Sequence, residues 1–334
     1  MFFISRSPGS PPIPTVEWTG VGPQSSQCEV LLLVLAMLEE FMYQAPLLDR
    51  VWSRIINLLG FKSHFIGAGE SRLHVFVAEG TGQLPPVLLV HGIGANAASF
   101  GPTMKFLKAN FRKIIALDFP GHGLSAPLPF ALDHEGTFAV TAASLRGFID
   151  EPIFIFGNSM GGGFSMYFAE RYLEMMLGVI LCSPLGAPME QAKLKNFIAQ
   201  FELNTLAEAR AFAGKLTDWM PAPIAWIMAP FVRKIFSGKT IRTIFSRFTP
   251  EHSVKPHQLA SLKMPLLFLW GKVERLMPEA HFDYFAAHLP SHAVIERPER
   301  FGHCPHLDHP AKVASRITDF AIDVTSRWRF RASD

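Results

Sequence analysis

The apolar run Pro152–Phe156 leads straight into Gly157-Asn158-Ser159-Met160-Gly161-Gly162-Gly163. A strand, then Gly-x-Ser-x-Gly, then a helix is the arrangement that stands a serine hydroxyl on a sharp turn, where it can attack a carbonyl. The flanking glycines permit the turn and let helix and strand approach closely. Upstream, the run Pro86–Val90 ends in His91-Gly92-Ile93-Gly94. A Gly-containing loop there can bring backbone N–H groups to a developing oxyanion, although the same residues also suit an ordinary strand-to-helix turn, with His91 ordering the loop.

A hydroxyl nucleophile needs a base and a group that orients it. His303 is the candidate base, in Gly302-His303-Cys304-Pro305-His306-Leu307-Asp308-His309-Pro310. Three histidines in seven residues also admit a metal reading. Against it, Pro305 and Pro310 interrupt a helix, and no Cys pair or Glu-x-x-His completes a ligand set. Cys304 has no readable base–orienter pair of its own. The candidate acid is Glu274, in the Gly271-Lys272-Val273-Glu274-Arg275-Leu276-Met277-Pro278 loop after the run Pro265–Trp270. A buried carboxylate there would fix the imidazole tautomer and support the imidazolium. The competing assignment is a solvated glutamate paired to Lys272 or Arg275. Asp308 follows the base and reads as a helix-start or loop residue.

These groups need a frame. From Phe61 onward, short runs rich in Val, Ile, Leu and Phe (Leu73–Ala78, Pro86–Val90, Lys113–Leu117, Pro152–Phe156, Gly178–Cys182, Pro265–Trp270, Ala293–Ile295) alternate with helical patterns near Ser99–Asn110, Phe138–Phe148, Gly161–Tyr172, Pro278–Leu289 and Ala311–Ser326. Runs apolar on both faces suit buried parallel strands, and the alternation predicts an α/β fold with helices on both faces of the sheet. One interval breaks it. Residues 186–263 contain no good strand and read as helices separated at Pro221, Pro223, Pro230 and Gly238, an inserted helical subdomain. The expected organisation is a disordered leader at 1–28, an N-terminal helical segment at 29–60 broken at Pro46, a core from 61–185 and 264–334, and the insertion between them.

The chain has 334 residues, 49% apolar and 18% charged, with net charge +3. That composition excludes global disorder and fibrous or disulfide-scaffold classes. The charge gives no argument for nucleic acid. Three cysteines, Cys28, Cys182 and Cys304, lack metal-like spacing and argue against a disulfide framework. The apolar run Val30–Leu38 is too short to span a bilayer, which takes about 20 residues. The insertion carries eleven Lys/Arg against five Asp/Glu and nine Phe/Trp. Within Phe231–Phe248, Ile235, Ile241, Ile244 and Phe245 alternate with Arg233, Lys234, Lys239, Arg242 and Arg247. That segment reads either as local core with a solvated face or as a basic amphipathic surface that meets a membrane.

The stretch from about Phe61 to Arg327 resembles the α/β-hydrolase superfamily. The likeness rests on His91-Gly92, on Asp118-Phe119-Pro120-Gly121-His122-Gly123-Leu124-Ser125, on the Ser159 turn, on Trp270-Gly271-x-x-Glu274, on Gly302-His303, and on the chain order serine, acid, histidine. The resemblance implies a mostly parallel eight-stranded sheet, with residues 186–263 as a cap over the substrate pocket. It also implies Ser159, Glu274 and His303 as nucleophile, acid and base, and the backbone N–H groups of Ile93 and Met160 as the oxyanion hole. Most capped members carry Asp where Glu274 stands. Gly157–Gly162 is similar to the turn of carbon–carbon hydrolases of meta-cleavage pathways and to that of monoacylglycerol-lipase-like and carboxylesterase members. The implied activity is a serine esterase of lipophilic acyl groups working without a cofactor on a small-molecule ester or lipid. A carbon–carbon hydrolase is the alternative enzyme, and a non-catalytic binding protein the alternative class. Expected surroundings are the cytoplasm, with peripheral membrane contact through the cap or N-terminal helix, and no nucleic acid.

Overall fold

A computed structural model describes residues 54–67, 72–127 and 133–331; the expected leader, the break at Pro46, the run Val30–Leu38 and Cys28 lie outside the described residues. The strands are β1 (Lys62–Ile66), β2 (Leu73–Glu79), β3 (Val87–Val90), β4 (Lys113–Leu117), β5 (Ile153–Asn158), β6 (Met176–Cys182), β7 (Leu266–Leu269) and β8 (Val294–Glu296). They form one eight-stranded sheet in the order β1-β2-β4-β3-β5-β6-β7-β8. β2 is antiparallel to both of its neighbours, and every other pairing is parallel. The expected α/β-hydrolase architecture is therefore present.

Alternate residues of the central strands enter two different cores. Leu88, Val90, Ile153, Ile155, Leu266 and Phe268 face one side. Val87, Leu89, Phe154, Phe156, Leu267 and Leu269 face the other. Both faces are covered, so these strands are apolar up to Asn158 at the end of β5. β1 differs. Its Lys-Ser-His-Phe-Ile sequence buries only Ile66, as suits an edge strand, and it forms no apolar run.

The helices of the frame are α1 (Gly101–Leu107), α2 (His134–Phe148), α3 (Met160–Arg171), α9 (Glu279–His288), α10 (Pro305–Asp308) and α11 (Pro310–Arg331), with α4 to α8 between β6 and β7. Those five are α4 (Gln191–Ala199), α5 (Leu206–Leu216), α6 (Ala222–Phe236), α7 (Lys239–Ser246) and α8 (Pro256–Ala260). Pro221 caps α6 and Pro223 sits in its first turn, where a missing N–H costs nothing. Pro230, expected to separate helices, instead lies inside α6. It is on the exposed side, where water can satisfy the carbonyl that loses its partner.

Phe154 is fully buried and packs edge-on against Phe111 and Phe320. Phe154→Ala should destabilise the chain by about 3–5 kcal/mol. Phe106→Ala, at a side chain 48% exposed, should stay within about 0.5 kcal/mol. Urea unfolding of the two variants checks the contrast.

Candidate active site

Ser159 joins β5 to α3 with φ 56° and ψ −116°, a backbone conformation that side-chain-bearing residues avoid. Hydrogen bonds hold it there. Its N–H donates to the Cys182 carbonyl at 3.0 Å, and its carbonyl accepts from Gly162, Gly163 and Leu185 at 2.9, 3.1 and 2.9 Å. The glycines act sterically: a Cβ at Gly157 would collide with the Gly161 carbonyl, and one at Gly161 with that of Val90. Helix and strand therefore approach as closely as backbone allows.

On one flank, His303 Nδ1–H donates to Glu274 Oε2 at 2.9 Å, and both side chains are almost fully buried. Glu274 Oε1 accepts from the Leu276 and Met277 N–H groups at 2.8 and 3.0 Å. Burial opposes its charge, but the facing His303 imidazole and these hydrogen bonds hold the carboxyl down to about 2. Lys272 and Arg275 are committed elsewhere, to Glu299 and to the Gly214 and Asp218 carbonyls. Asp308 accepts from the Asp218 N–H at 2.6 Å, so it braces the insertion rather than the imidazole.

Asn158 connects this pair to the serine. Its Nδ2 donates to the His303 carbonyl at 2.7 Å and to the Cys182 carbonyl at 3.2 Å, while its Oδ1 accepts the Cys304 thiol at 3.4 Å. The residue before the nucleophile candidate thus grips the backbone of the base candidate. Its type alone carries no signal of that role in the sequence. Among the described residues no hydrogen bond links Ser159 Oγ to His303, a contact that commonly tightens only with substrate bound. Burial pushes the Cys304 thiol up, so it stays protonated and acts as a donor.

On the other flank lies the 92–94 loop. A Cβ at Gly92 would come 3.1 Å from Ser159 Cβ. Ile93 sits in this turn and Met160 is the first residue of α3, where an amide has no intrahelical partner. Neither N–H is used in a turn or loop hydrogen bond. Two buried histidines hold the loop. His91 Nδ1–H donates to the Gly92 carbonyl at 2.7 Å, and its Nε2 accepts from the Phe119 N–H at 3.1 Å. His122 donates to the Pro120 carbonyl and accepts from Gly94 N–H at 3.2 Å. Burial lowers both pKa values, that of His122 to about 4, and keeps the rings neutral so that each can accept. Behind them, buried Asp118 accepts from the Ala97 N–H, the Leu124 N–H and His74. Burial opposes its charge, but these donors, His74 foremost, hold its carboxyl below the usual range.

The inserted helices close over these loops. Phe236 of α6 lies against Gly94, Thr240 against Gly121, and the backbone of Thr217 and Asp218 against Gly302. Cys304 N–H donates to the Leu216 carbonyl at 2.7 Å. A cavity of about 460 Å³ is lined by Met160, Phe138, Met166, Leu185 and Val254 and by charged side chains such as Glu170 and Arg171.

An open, mostly parallel sheet carrying a serine turn at a strand's C-terminal end, with acid and histidine on later loops, defines the α/β hydrolases. Residues 87–316 match the Alpha/beta hydrolase family, and the chain belongs to it. It is 25% identical over 250 residues to the pimeloyl-[acyl-carrier protein] methyl ester esterase of Neisseria meningitidis, covering 71% of this chain and 94% of that one. It is 22% identical over 332 residues to monoacylglycerol lipase abhd6-B of Xenopus laevis, covering 91% and 96%. Among solved structures, a membrane phospholipase A described as a bacterial virulence factor superposes with TM-score 0.69 at 21% identity, over 90% of this chain and 98% of that one. Carboxylesterase CesB of Bacillus subtilis gives 0.66 at 19% identity, over 82% and 97%.

The depressed Glu274 pKa makes a pH prediction. A carboxyl whose folded pKa lies below its unfolded value stabilises the fold above the unfolded value, and that contribution is lost as pH falls through the folded one. The stability gap between wild type and Glu274→Gln should therefore be full near pH 6 and shrink as pH falls from about 4.5 toward about 2. Urea titrations at a series of pH values measure it; a gap independent of pH contradicts the buried charge.

Proposed function

We propose that the protein is a serine hydrolase that cleaves carboxylic esters of lipophilic acyl groups through an acyl-enzyme. The observation that carries the reading is the buried Glu274–His303 pair, clamped by Asn158 to the strained turn bearing Ser159. His303 Nε2 takes the Ser159 proton as Oγ attacks the ester carbonyl. The Ile93 and Met160 N–H groups receive the oxyanion. The tetrahedral intermediate collapses as the imidazolium protonates the leaving alcohol. His303 then activates a water, which releases the acid and regenerates the serine. The chemistry calls for no metal or cofactor. Glu274 contributes orientation and a negative charge beside the transient imidazolium.

The similarity to a methyl ester esterase and a monoacylglycerol lipase supports an ester substrate. The apolar wall of the cavity that reaches Met160 supports an acyl chain on it. Residues 186–263 act as the cap of this site, since their helices touch three of the loops that frame it.

Ser159→Ala should lower turnover of a p-nitrophenyl ester by several orders of magnitude and abolish labelling by a fluorophosphonate, with unfolding unchanged. Labelling that persists would move the nucleophile elsewhere. Running a vinylogous diketo acid beside the ester series discriminates carbon–carbon hydrolysis, which requires the former to be the better substrate.

Glu274→Gln should cost around 10⁴ in kcat, because the charge beside the imidazolium and the tautomer are both lost. Asp308→Asn, which keeps an acceptor for Asp218, should cost far less. Asn158→Ala should lower kcat about 10²-fold with little change in KM, as a misplaced base does, and Asn158→Gln should not restore it. Steady-state kinetics on folded variants test the order; Asp308→Asn proving the most damaging would reassign the acid.

A further inference from the structure

The exposed apolar surface of the insertion does not lie where the membrane reading of Phe231–Phe248 places it; that segment is local core with a solvated face. Ile241 is buried, Ile244 and Phe245 pack against the core, and Phe236 is only 7% exposed. Of the apolar positions in that alternation only Ile235 faces water, at 44%. The exposed aromatics sit earlier. Trp226 is 62% exposed on α6, and Trp219, three residues before the helix, is 68% exposed. On α6, Pro223, Trp226 and Pro230 are all exposed and recur at i, i+3 and i+7, one face of a helix. The same row continues into exposed Arg233 and Lys234. The opposite row, Ala229, Val232 and Phe236, is buried against the protein.

This face lies in a basic stretch of the chain. Residues 206–247 contain seven Lys/Arg and two Asp/Glu. The Arg210 guanidinium lies 3.7 Å above the Trp226 ring, so a cation and an aromatic plane are presented together. Two tryptophans held out in water beside prolines and a cationic helix end suit a boundary between acyl chains and anionic headgroups, where an indole buries its ring and keeps its N–H wet. Negative headgroups complement the charge.

We infer that the Pro223–Trp226–Pro230 face of α6, with Trp219, docks onto an anionic lipid surface. The inward row of the same helix presses Phe236 onto Gly94. Docking therefore brings lipid within about one helix diameter, roughly 10 Å, of the loop proposed to hold the oxyanion. No helix among the described residues is long and apolar enough to cross a membrane, and an interfacial face needs none. The docking does not depend on the esterase reading, because it is measured without turnover.

The test is flotation of the full chain with phosphatidylcholine vesicles, with and without phosphatidylglycerol. Wild type and Ser159→Ala should both float with the anionic vesicles at low salt and be released as salt rises. Trp219→Ser with Trp226→Ser should cut the bound fraction about tenfold or more, while thermal unfolding and hydrolysis of a soluble short-chain ester stay as in wild type. Arg233→Ser with Lys234→Ser should remove the preference for anionic vesicles and leave weak binding to neutral ones. Three outcomes overturn the inference: wild type that stays with the soluble fraction, tryptophan variants that float like wild type, or a concentration-dependent dimer that the tryptophan substitutions dissolve and that does not float. Ser159→Ala that floats but still hydrolyses ester would sink the esterase reading alone.

Discussion

A serine held at φ 56° is the constraint to which the surrounding structure answers. Such a backbone costs of order 1–3 kcal/mol and persists only where its neighbours over-determine it. Here they do so twice. Four backbone hydrogen bonds fix the peptide groups on either side of Ser159. The absence of side chains at Gly157 and Gly161 lets α3 sit directly on β5 and β3. Any bulk at those positions would push the helix off the sheet and relax the turn. The parallel order β3-β5-β6 then brings the ends of three strands around the serine.

Two buried carboxylates flank that turn, and their burdens differ. Asp118 holds the Gly92–Gly94 side by organising the loops behind His91 and His122. Glu274 holds the imidazole. Each is a charge taken out of water and kept ionised by donors placed around it, an arrangement that contributes little net stability compared with an apolar replacement but is costly to leave half-made. The arrangement secures position: an oriented imidazole on one side of Ser159 and an ordered 92–94 loop on the other.

Much of this was legible in the sequence for physical reasons. Six of the eight strands are buried on both faces, so each forms an apolar run, whereas β8 is apolar in Val294 and Ile295 although both are exposed. β1 is an exposed edge whose Lys, Ser and His positions break any run. Ser159, Glu274 and His303 stand out because each follows a strand end in a Gly-containing loop. Asn158 does not, because its work consists of hydrogen bonds to the His303 carbonyl and the Cys304 thiol, 145 and 146 residues away. Pro230 misled because a helix can carry a proline on its wet side. The basic segment of Phe231–Phe248 left two readings open because alternation of apolar and charged types does not say which face is covered; Phe236 and Ile241 turn inward once α6 and α7 meet the loops beneath them, as the local-core reading expects.

The insertion is fastened to the core unevenly. At the end of α5, the Leu216 carbonyl and the Asp218 N–H are hydrogen-bonded to Cys304 and Asp308, immediately beyond the histidine. Displacing that edge would break hydrogen bonds to the residues that follow His303. At the other edge, Phe236 and Thr240 merely rest against glycines of the 94 and 121 loops. A gap that opens between α6–α7 and those loops leaves the hydrogen-bonded groups around His303 undisturbed. The two edges thus differ in kind: hydrogen bonds beside His303, and side-chain packing along α6, whose outer face carries Trp226.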